Sequence, residues 1–501
     1  MQKLKDFLIK FKLLIGIIII TPLLFWCNLW FPMWLISGSA ILILACFCSV
    51  TEIFCLMMYL ELYSGLYGQY VIGIGAGLLV LAVRYIIELK KGTKKLYKIP
   101  LILTTVLVIL YSCINYSFDT NGFYSGMNFV YMFYIIYFIY IYHKEIDIAR
   151  CFNYLLFGMV VTAGLSYLSL DYPNFALNVS YYDGKYNRLV MLTMHMNFLM
   201  MLCLFEIAYS IYSLFHKKRH PLLDTFAIIV SVIIGFCTLS KAFVIVLIGF
   251  FIYTIICLII KFKLKSIIFI AIVSLFTFGI CKIFDSYLTD IYSRFFVYFE
   301  DKTFMHKITT GRSEIWAAYM DEIFSSPQKA MFGVGLFTSD LQEAGPHNSW
   351  IFLLYRFGMV GVILIGVLIA SYIMNGKPWF KIRFNNCLMV FTWFVLSLEE
   401  VVFSDKFLIF LLFGLIIMFK EQADPEGYRK VVEESNKQKE SILNENKNEE
   451  KTTEKQQNLA NENNLLDLKQ DNKLNSKQED KKIQEKKYTV KSKKKLNKEK
   501  V

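Results

Sequence analysis

The stretch Leu13–Trp30, LLIGIIIITPLLFWCNLW, runs for eighteen residues without a single charge. Coiled as a helix it would be about 27 Å long, close to the roughly 30 Å hydrocarbon layer of a bilayer. Similar runs recur along the chain, which has 501 residues, 56% of them hydrophobic and 17% aromatic. That is too apolar for a water-soluble enzyme, and the pattern predicts an all-α polytopic membrane protein. The first run is read as a retained helix, because Met1–Asn28 lacks a small-residue cleavage pattern and further hydrophobic runs follow.

Charge separates two materials. Residues 420–501 hold 21 Lys+Arg and 17 Asp+Glu but only two aromatics, Tyr428 and Tyr488. Such a segment buries too little apolar surface to offset chain entropy and is expected to be a disordered, charged cytoplasmic tail. Its Lys-rich end, Lys486–Lys500, could touch anionic lipid headgroups, but the plainer reading is a solubilising extension without specific partners. Residues 1–419 form the membrane domain. The net charge of +13 is no nucleic-acid footprint, since the Lys and Arg of that domain stand in short clusters between apolar runs, as membrane topology requires.

The clusters are Lys3–Lys12, Lys90–Lys98, His143–Arg150, His216–His220, Lys261–Lys265, Lys377–Arg383 and the tail from Lys420. If all face the cytoplasm, every interval between them holds an even number of spans. Intervals 99–142, 151–215, 221–260 and 384–419 then hold two each, and residues 266–284 and 348–374 form another pair. The interval 13–89 fits four, although Glu52 and Glu61 interrupt it, giving a total of fourteen, or twelve if part is re-entrant. Both termini are then cytoplasmic, in a cell membrane.

The long segment 285–347 becomes an external loop, and its nine acidic and five basic residues have the sign expected there. Within it Ile315, Trp316, Tyr319, Ile323 and Phe324 recur at helical spacing, with Thr309 or Thr310 to cap the start and Pro327 to mark the end. The pattern predicts an amphipathic helix lying on the outer membrane surface. All 11 cysteines lie in apolar stretches and are read as free thiols. No CxxC or HExxH motif is present, so no metal is expected.

Four residues stand out on the external side: Arg188 at the start of a span, Lys241 at a span's outer end, Arg312 in the surface helix, and His347 at the mouth of the next span. His347 lies in Gly345-Pro346-His347-Asn348-Ser349-Trp350, so a helix should begin at Asn348 or Ser349. Free N–H groups and the positive dipole end make that mouth attractive to anions. They also bias a neighbouring imidazole toward the neutral form that a general base requires. The plainer reading of His347 is an interfacial cap-region residue.

Singly, each of the three cations reads as a snorkelling residue at a membrane edge. Together, on the face where the topology rule disfavours Lys and Arg, they suggest an anionic ligand such as a phosphate or diphosphate. Weaker signals are His195, seven residues after Arg188 on the same helical face, and Asn197 behind it. Both fit a helix-to-helix hydrogen bond. Arg356 and Arg84 lie inside spans, where Glu52, Glu61 or Glu206 could pair with them. Gly333-Val334-Gly335 reads as a turn.

The string Gly311-Arg312, Trp316, Pro327, Gly333-Val334-Gly335 and His347-Asn348 before an apolar helix with Gly358 and Gly361 resembles the O-antigen ligase and Wzy-type polysaccharide polymerase family. Arg188 leading to His195 and Asn197, and Thr238-Leu239-Ser240-Lys241 at a membrane edge, agree with it; the match covers residues 180–375. The resemblance implies a multispan glycosyltransferase of GT-C-like architecture, without metal or cofactor, taking glycans from undecaprenyl diphosphate on the outer face. It implies that His347 is the base for the acceptor hydroxyl and that Arg188, Lys241 and Arg312 hold the diphosphate, with His195, Asn197, Asn348 and Arg356 in support. Two departures stand out: the family often has Arg where this chain has Lys241, and many relatives carry an acidic residue near Arg356.

The chemistry is compatible with that picture. A glycosyl diphosphate carries its own leaving group, so an enzyme must neutralise the growing charge and activate one hydroxyl, with inversion at the anomeric carbon. The first expectation is a polymerase joining lipid-linked oligosaccharide repeat units into a capsule, exopolysaccharide or O-antigen chain. The implied partners are the lipid-linked donor, the growing polysaccharide, membrane lipids, a flippase and a chain-length regulator. Alternatives are a ligase moving finished glycan to another acceptor, or, in a different class, a flippase or transporter of the same lipid-linked sugars. Against a transporter, no internal repeat is apparent and the unusual residues gather at one interface instead of the midplane.

Overall fold

The computed structural model describes residues 2–26, 31–63, 67–114, 120–171, 180–183, 186–189, 196–216, 218–260, 312–341, 345–374 and 387–399, with isolated positions between 275 and 293. The charged tail, the span expected at 266–284 apart from a few of its positions, and the turn expected near Glu399–Lys406 apart from Glu399 lie outside them.

The described residues are mainly helical. In chain order the helices are α1 (Gln2–Trp26), α2 (Phe31–Phe47), α3 (Val50–Leu60, extended by a 3-10 turn Glu61–Tyr63), α4 (Tyr67–Lys90), α5 (Lys98–Cys113), α6 (Thr120–Tyr142), α7 (Ile148–Asp171), α8 (Met196–His216), α9 (Pro221–Cys237), α10 (Lys241–Ile260), α11 (Arg312–Ile323), α12 (Pro327–Phe332), α13 (Ser349–Met374) and α14 (Cys387–Glu399). One antiparallel hairpin, β1 (Ser180–Asp183) and β2 (Tyr186–Leu189), stands between α7 and α8. Among the described residues three helices are long and apolar enough to cross a membrane, over Ile148–Ser166, Met196–Phe215 and Ser349–Tyr372. Shorter apolar helices include Phe11–Leu24, Lys98–Cys113, Gly126–Tyr142 and Lys241–Cys257.

Where pairs of spans were expected in 99–142, 151–215 and 221–260 there are helices, α5 with α6, α7 with α8, and α9 with α10, of which α7 and α8 are long and apolar enough to cross a membrane and the other four are shorter apolar helices. The interval 13–89 does hold four helices, but α3 has only 11 residues, about 17 Å of helix, too short for a bilayer. Ser49 and Glu52 explain where it starts. They form a reciprocal capping box, and the Glu52 carboxylate also accepts from Lys12 at 3.0 Å and Arg150 at 3.2 Å. Burial pushes this carboxyl up, yet the Ser49 N–H and the Lys12 ammonium outweigh it and hold it below its ordinary value. The acids and bases expected inside spans are partnered otherwise: Arg84 donates to the Cys48 carbonyl at 2.7 Å, and Glu206 takes Arg219 at 2.9 Å.

Helix polarity follows from these contacts. At one end Lys94 pairs with Glu145, Thr51 donates to the Glu145 carbonyl, Arg150 reaches Glu52, and Arg219 reaches Asn153. The basic clusters Lys90–Lys98, His143–Arg150 and His216–His220 gather there. At the other end the Leu336 N–H donates to the Tyr111 carbonyl, and Phe123 stacks on Phe337 at 6.0 Å. Tyr140 meets Tyr372 at 5.0 Å near the basic end, so α13 runs from the second end to the first. The core between is large and aromatic, with Phe54, Phe129, Phe133, Phe152, Tyr59 and Tyr137 almost fully buried. Outward-facing side chains such as Ile18, Ile43, Ile109, Ile248 and Ile363 are exposed, which leaves an apolar outer surface.

Candidate functional site

Helix α13 opens where the sequence places it. Asn348 is its cap: the amide oxygen accepts from the Trp350 and Ile351 N–H groups at 3.0 and 3.1 Å. The same side chain donates to the Leu398 carbonyl at 3.3 Å, and the Trp350 indole donates to the Ser397 hydroxyl at 3.1 Å. The helix mouth is therefore fastened to the end of α14. His347, half-buried, precedes the cap with φ +46, and Leu239 has φ +49. These are the two non-glycine residues with left-handed backbone among the described residues. Both lie in turns leading into a helix that carries a candidate residue, and such conformations persist only where surrounding contacts enforce them.

At the His347 turn one such contact is visible. The Trp316 indole N–H, on α11, donates to the Pro346 carbonyl at 2.8 Å. Helix α11 begins at Arg312, so one hydrogen bond ties the helix carrying Arg312 to the turn carrying His347. The rest of α11 packs on protein. Tyr319 and Ile323 are buried against Val334 and Tyr355, with Tyr319 edge-on to Tyr355 at 4.9 Å. Helix α13 and the 334 turn thus cover part of the apolar face expected to lie on a membrane, while Phe324 stays exposed. Pro327 differs from expectation. Helix α11 ends at Ile323, and Pro327 is the first residue of α12, capped by Ser326. Thr309 and Thr310 lie outside the described residues.

The Gly333-Val334-Gly335 turn, expected from the sequence, is locked into α13. Helix α13 breaks at Gly358, where φ is +58 and ψ −173, and the break frees two carbonyls. Val334 N–H donates to Tyr355 O at 2.9 Å and Gly335 N–H to Arg356 O at 3.0 Å. Arg356 is fully buried, and its guanidinium donates to the Leu336 and Thr338 carbonyls and to Asp340 at 2.6 Å, with the Phe352 ring 5.1 Å away. The expectation that Arg356 pairs with an intramembrane Glu is replaced by this clamp on residues 336–340. Its contacts mark a positioning role.

Lys241 is the first residue of α10, and its ammonium nitrogen is buried. Helix α9 leads there from the Arg219 end over about 25 Å, so Lys241 lies at the same end of the bundle as His347. Arg188 departs from expectation. It lies on β2, paired with Tyr181, and α8 begins only at Met196. Arg188 is thus on a strand and not on the helical face expected to carry it with His195, which is outside the described residues. Strand β2 packs against α9, and Asn197 is buried in the first turn of α8. Among the described residues no group of three His, Cys, Asp or Glu is placed to hold a metal ion.

Sequence reasoning missed the tethers, Trp316 to Pro346 and Trp350 to Ser397, because an indole N–H has no periodicity to betray it. It also missed Asp340 as the partner of Arg356, and Arg219, which passed as one more positive charge in His216–His220. The signal for Arg219 was Glu206 in one span and Asp224 opening the next. No family model matches the chain, and no curated protein or solved structure matches it either.

Proposed function

We propose that the chain is a polytopic membrane glycosyltransferase of GT-C-like architecture that polymerises undecaprenyl-diphosphate-linked oligosaccharide repeat units. His347 acts as the general base on the acceptor hydroxyl. Arg312, Lys241 and Arg188 neutralise the leaving diphosphate, so that transfer proceeds with inversion and without a metal. The end bearing these residues faces outward, and the basic end, with both termini, faces the cytoplasm of the cell membrane.

The observation that carries the reading is the Trp316–Pro346 hydrogen bond, which joins the helix of Arg312 to the left-handed turn of His347 beside the capped mouth of α13. The apolar exterior and the basic residues gathered at the opposite end support the membrane placement. Arg356 works behind the site: it holds residues 336–340 against α13 and touches no substrate.

The test is sugar incorporation in proteoliposomes with the lipid-linked donor supplied on one side. A product ladder supports the polymerase. One longer product without further steps means a ligase, and movement of unchanged donor across the bilayer means a flippase.

A further inference from the structure

Three side chains between α7, α8 and α9 form a cluster far from the His347 turn. Arg219 donates from Nε to Asp224 at 2.6 Å, from Nη1 to Glu206 at 2.9 Å and from Nη2 to the Ser210 hydroxyl at 2.7 Å. Nη1 also reaches Asn153 of α7 at 3.3 Å, and the guanidinium lies 5.2 Å from the Tyr209 ring. Side-chain exposure is 2% for Arg219 and 0% for both acids. Glu206 Oε2 and Asp224 Oδ2 are buried and accept no hydrogen bond from the described residues. Two carboxylates against one guanidinium would leave an excess negative charge out of water, which costs far more than protonating one of them.

We propose that this cluster is a proton-binding site, with one proton held on the Glu206 carboxyl beside an ionised Asp224 and the Arg219 guanidinium. The two acids are not equivalent. Asp224 lies in the first turn of α9, where the helix dipole favours an anion, and receives the shorter bond. Glu206 sits in the middle of α8 (Met196–His216), so it belongs to no first turn, with Ser210 one turn on at 3.4 Å. The titratable and charged groups facing it are Arg219 and Asp224, with Tyr209 and Cys203 on its own helix; Cys237 of α9 lies beyond Cys203, and Asp147, on the approach to α7, faces Tyr209. Lys218 and His220 flank Arg219 in the chain. Loss of the proton would leave the junction of α7, α8 and α9 with an uncompensated charge. The packing of those helices is therefore coupled to pH at the basic end of the bundle.

The test uses purified full-length protein. At neutral pH its infrared spectrum should contain a protonated-carboxyl band that is missing from Glu206→Gln; in Asp224→Asn one carboxylate remains against one guanidinium, so there the band should bleach at a lower pH than in the parent. Because a glutamine amide replaces a neutral acid in shape and polarity, Glu206→Gln should melt with the parent, whereas Asp224→Asn should melt lower. An unchanged carboxyl band in Glu206→Gln overturns the proposal, as does a Glu206→Gln protein that melts well below the parent or does not accumulate. An unchanged melting temperature for Asp224→Asn would place the proton on Asp224 and equally overturn it. In the parent alone, a cluster already fully ionised at neutral pH would show no band component that bleaches as pH rises, and that result overturns the proposal too.

Discussion

Replacing Gly335 by alanine tests the interlock between the 333–336 turn and helices α5 and α13. At φ +93 the backbone is one that an L side chain rarely adopts, and an added Cβ would lie 1.7 Å from the Ile114 carbonyl oxygen. That separation is about half of an ordinary carbon–oxygen contact, so the turn must withdraw from α5. Withdrawal breaks Leu336 N–H to Tyr111 O at 2.9 Å and Gly335 N–H to Arg356 O at 3.0 Å. Two bonds at about 1 kcal/mol each, with about 1–3 kcal/mol of backbone strain, give a cost of about 3–5 kcal/mol, a large part of the usual stability of a fold. Gly92→Ala is the control. Gly92 also has positive φ, +71, but nothing lies within 4 Å of its Cβ position, so strain alone should cost about 1 kcal/mol. Thermal melting in detergent compares the two. Equal midpoints would refute the close approach of the turn to Ile114.

Asn348→Ala should lose about 0.5–2 kcal/mol from the cap, while Asn348→Asp keeps the cap and loses only the donor to Leu398; a melting series of the two separates these contributions. Trp316→Phe keeps an aromatic side chain but removes the bond to Pro346 and part of the indole's volume, so it should cost at least about 0.5–1.5 kcal/mol of stability and lower turnover more than donor binding, measured as kcat against KM. Glu52 is held below its ordinary value near 4.5, so its stabilisation is complete above that pH and is lost as pH falls through the lower folded value. Melting of the parent should therefore fall in that acid range, and Glu52→Gln should lose this component together with about 1–2 kcal/mol at neutral pH.

Hydrophobic runs and basic clusters made the helices legible, because a bilayer-length apolar run and the positive charges flanking it are both local properties. The mouth of α13 was legible for the same reason: Asn348 is a short-range cap, and Gly345-Pro346 cannot continue a helix. What depended on distant contacts was not. Arg188 reads as a span's first residue when only hydropathy is counted, yet it lies on the strand Tyr186–Leu189, paired with Ser180–Asp183, ahead of α8. Helix α11 reads as interfacial because its apolar stripe has no visible partner in the sequence; Tyr355 and Val334 supply one. Arg356 stands in an apolar run and Arg219 in a basic cluster, and neither setting tells what the fold shows, a clamp on carbonyls in one case and a two-carboxylate cluster in the other.

His347 as the base, beside a group of cations that binds the diphosphate, is the central claim. Purified protein given a defined undecaprenyl-diphosphate oligosaccharide should build a ladder of products, and His347→Ala, still folded by its melting curve, should build none. A ladder undiminished in that variant would contradict the claim.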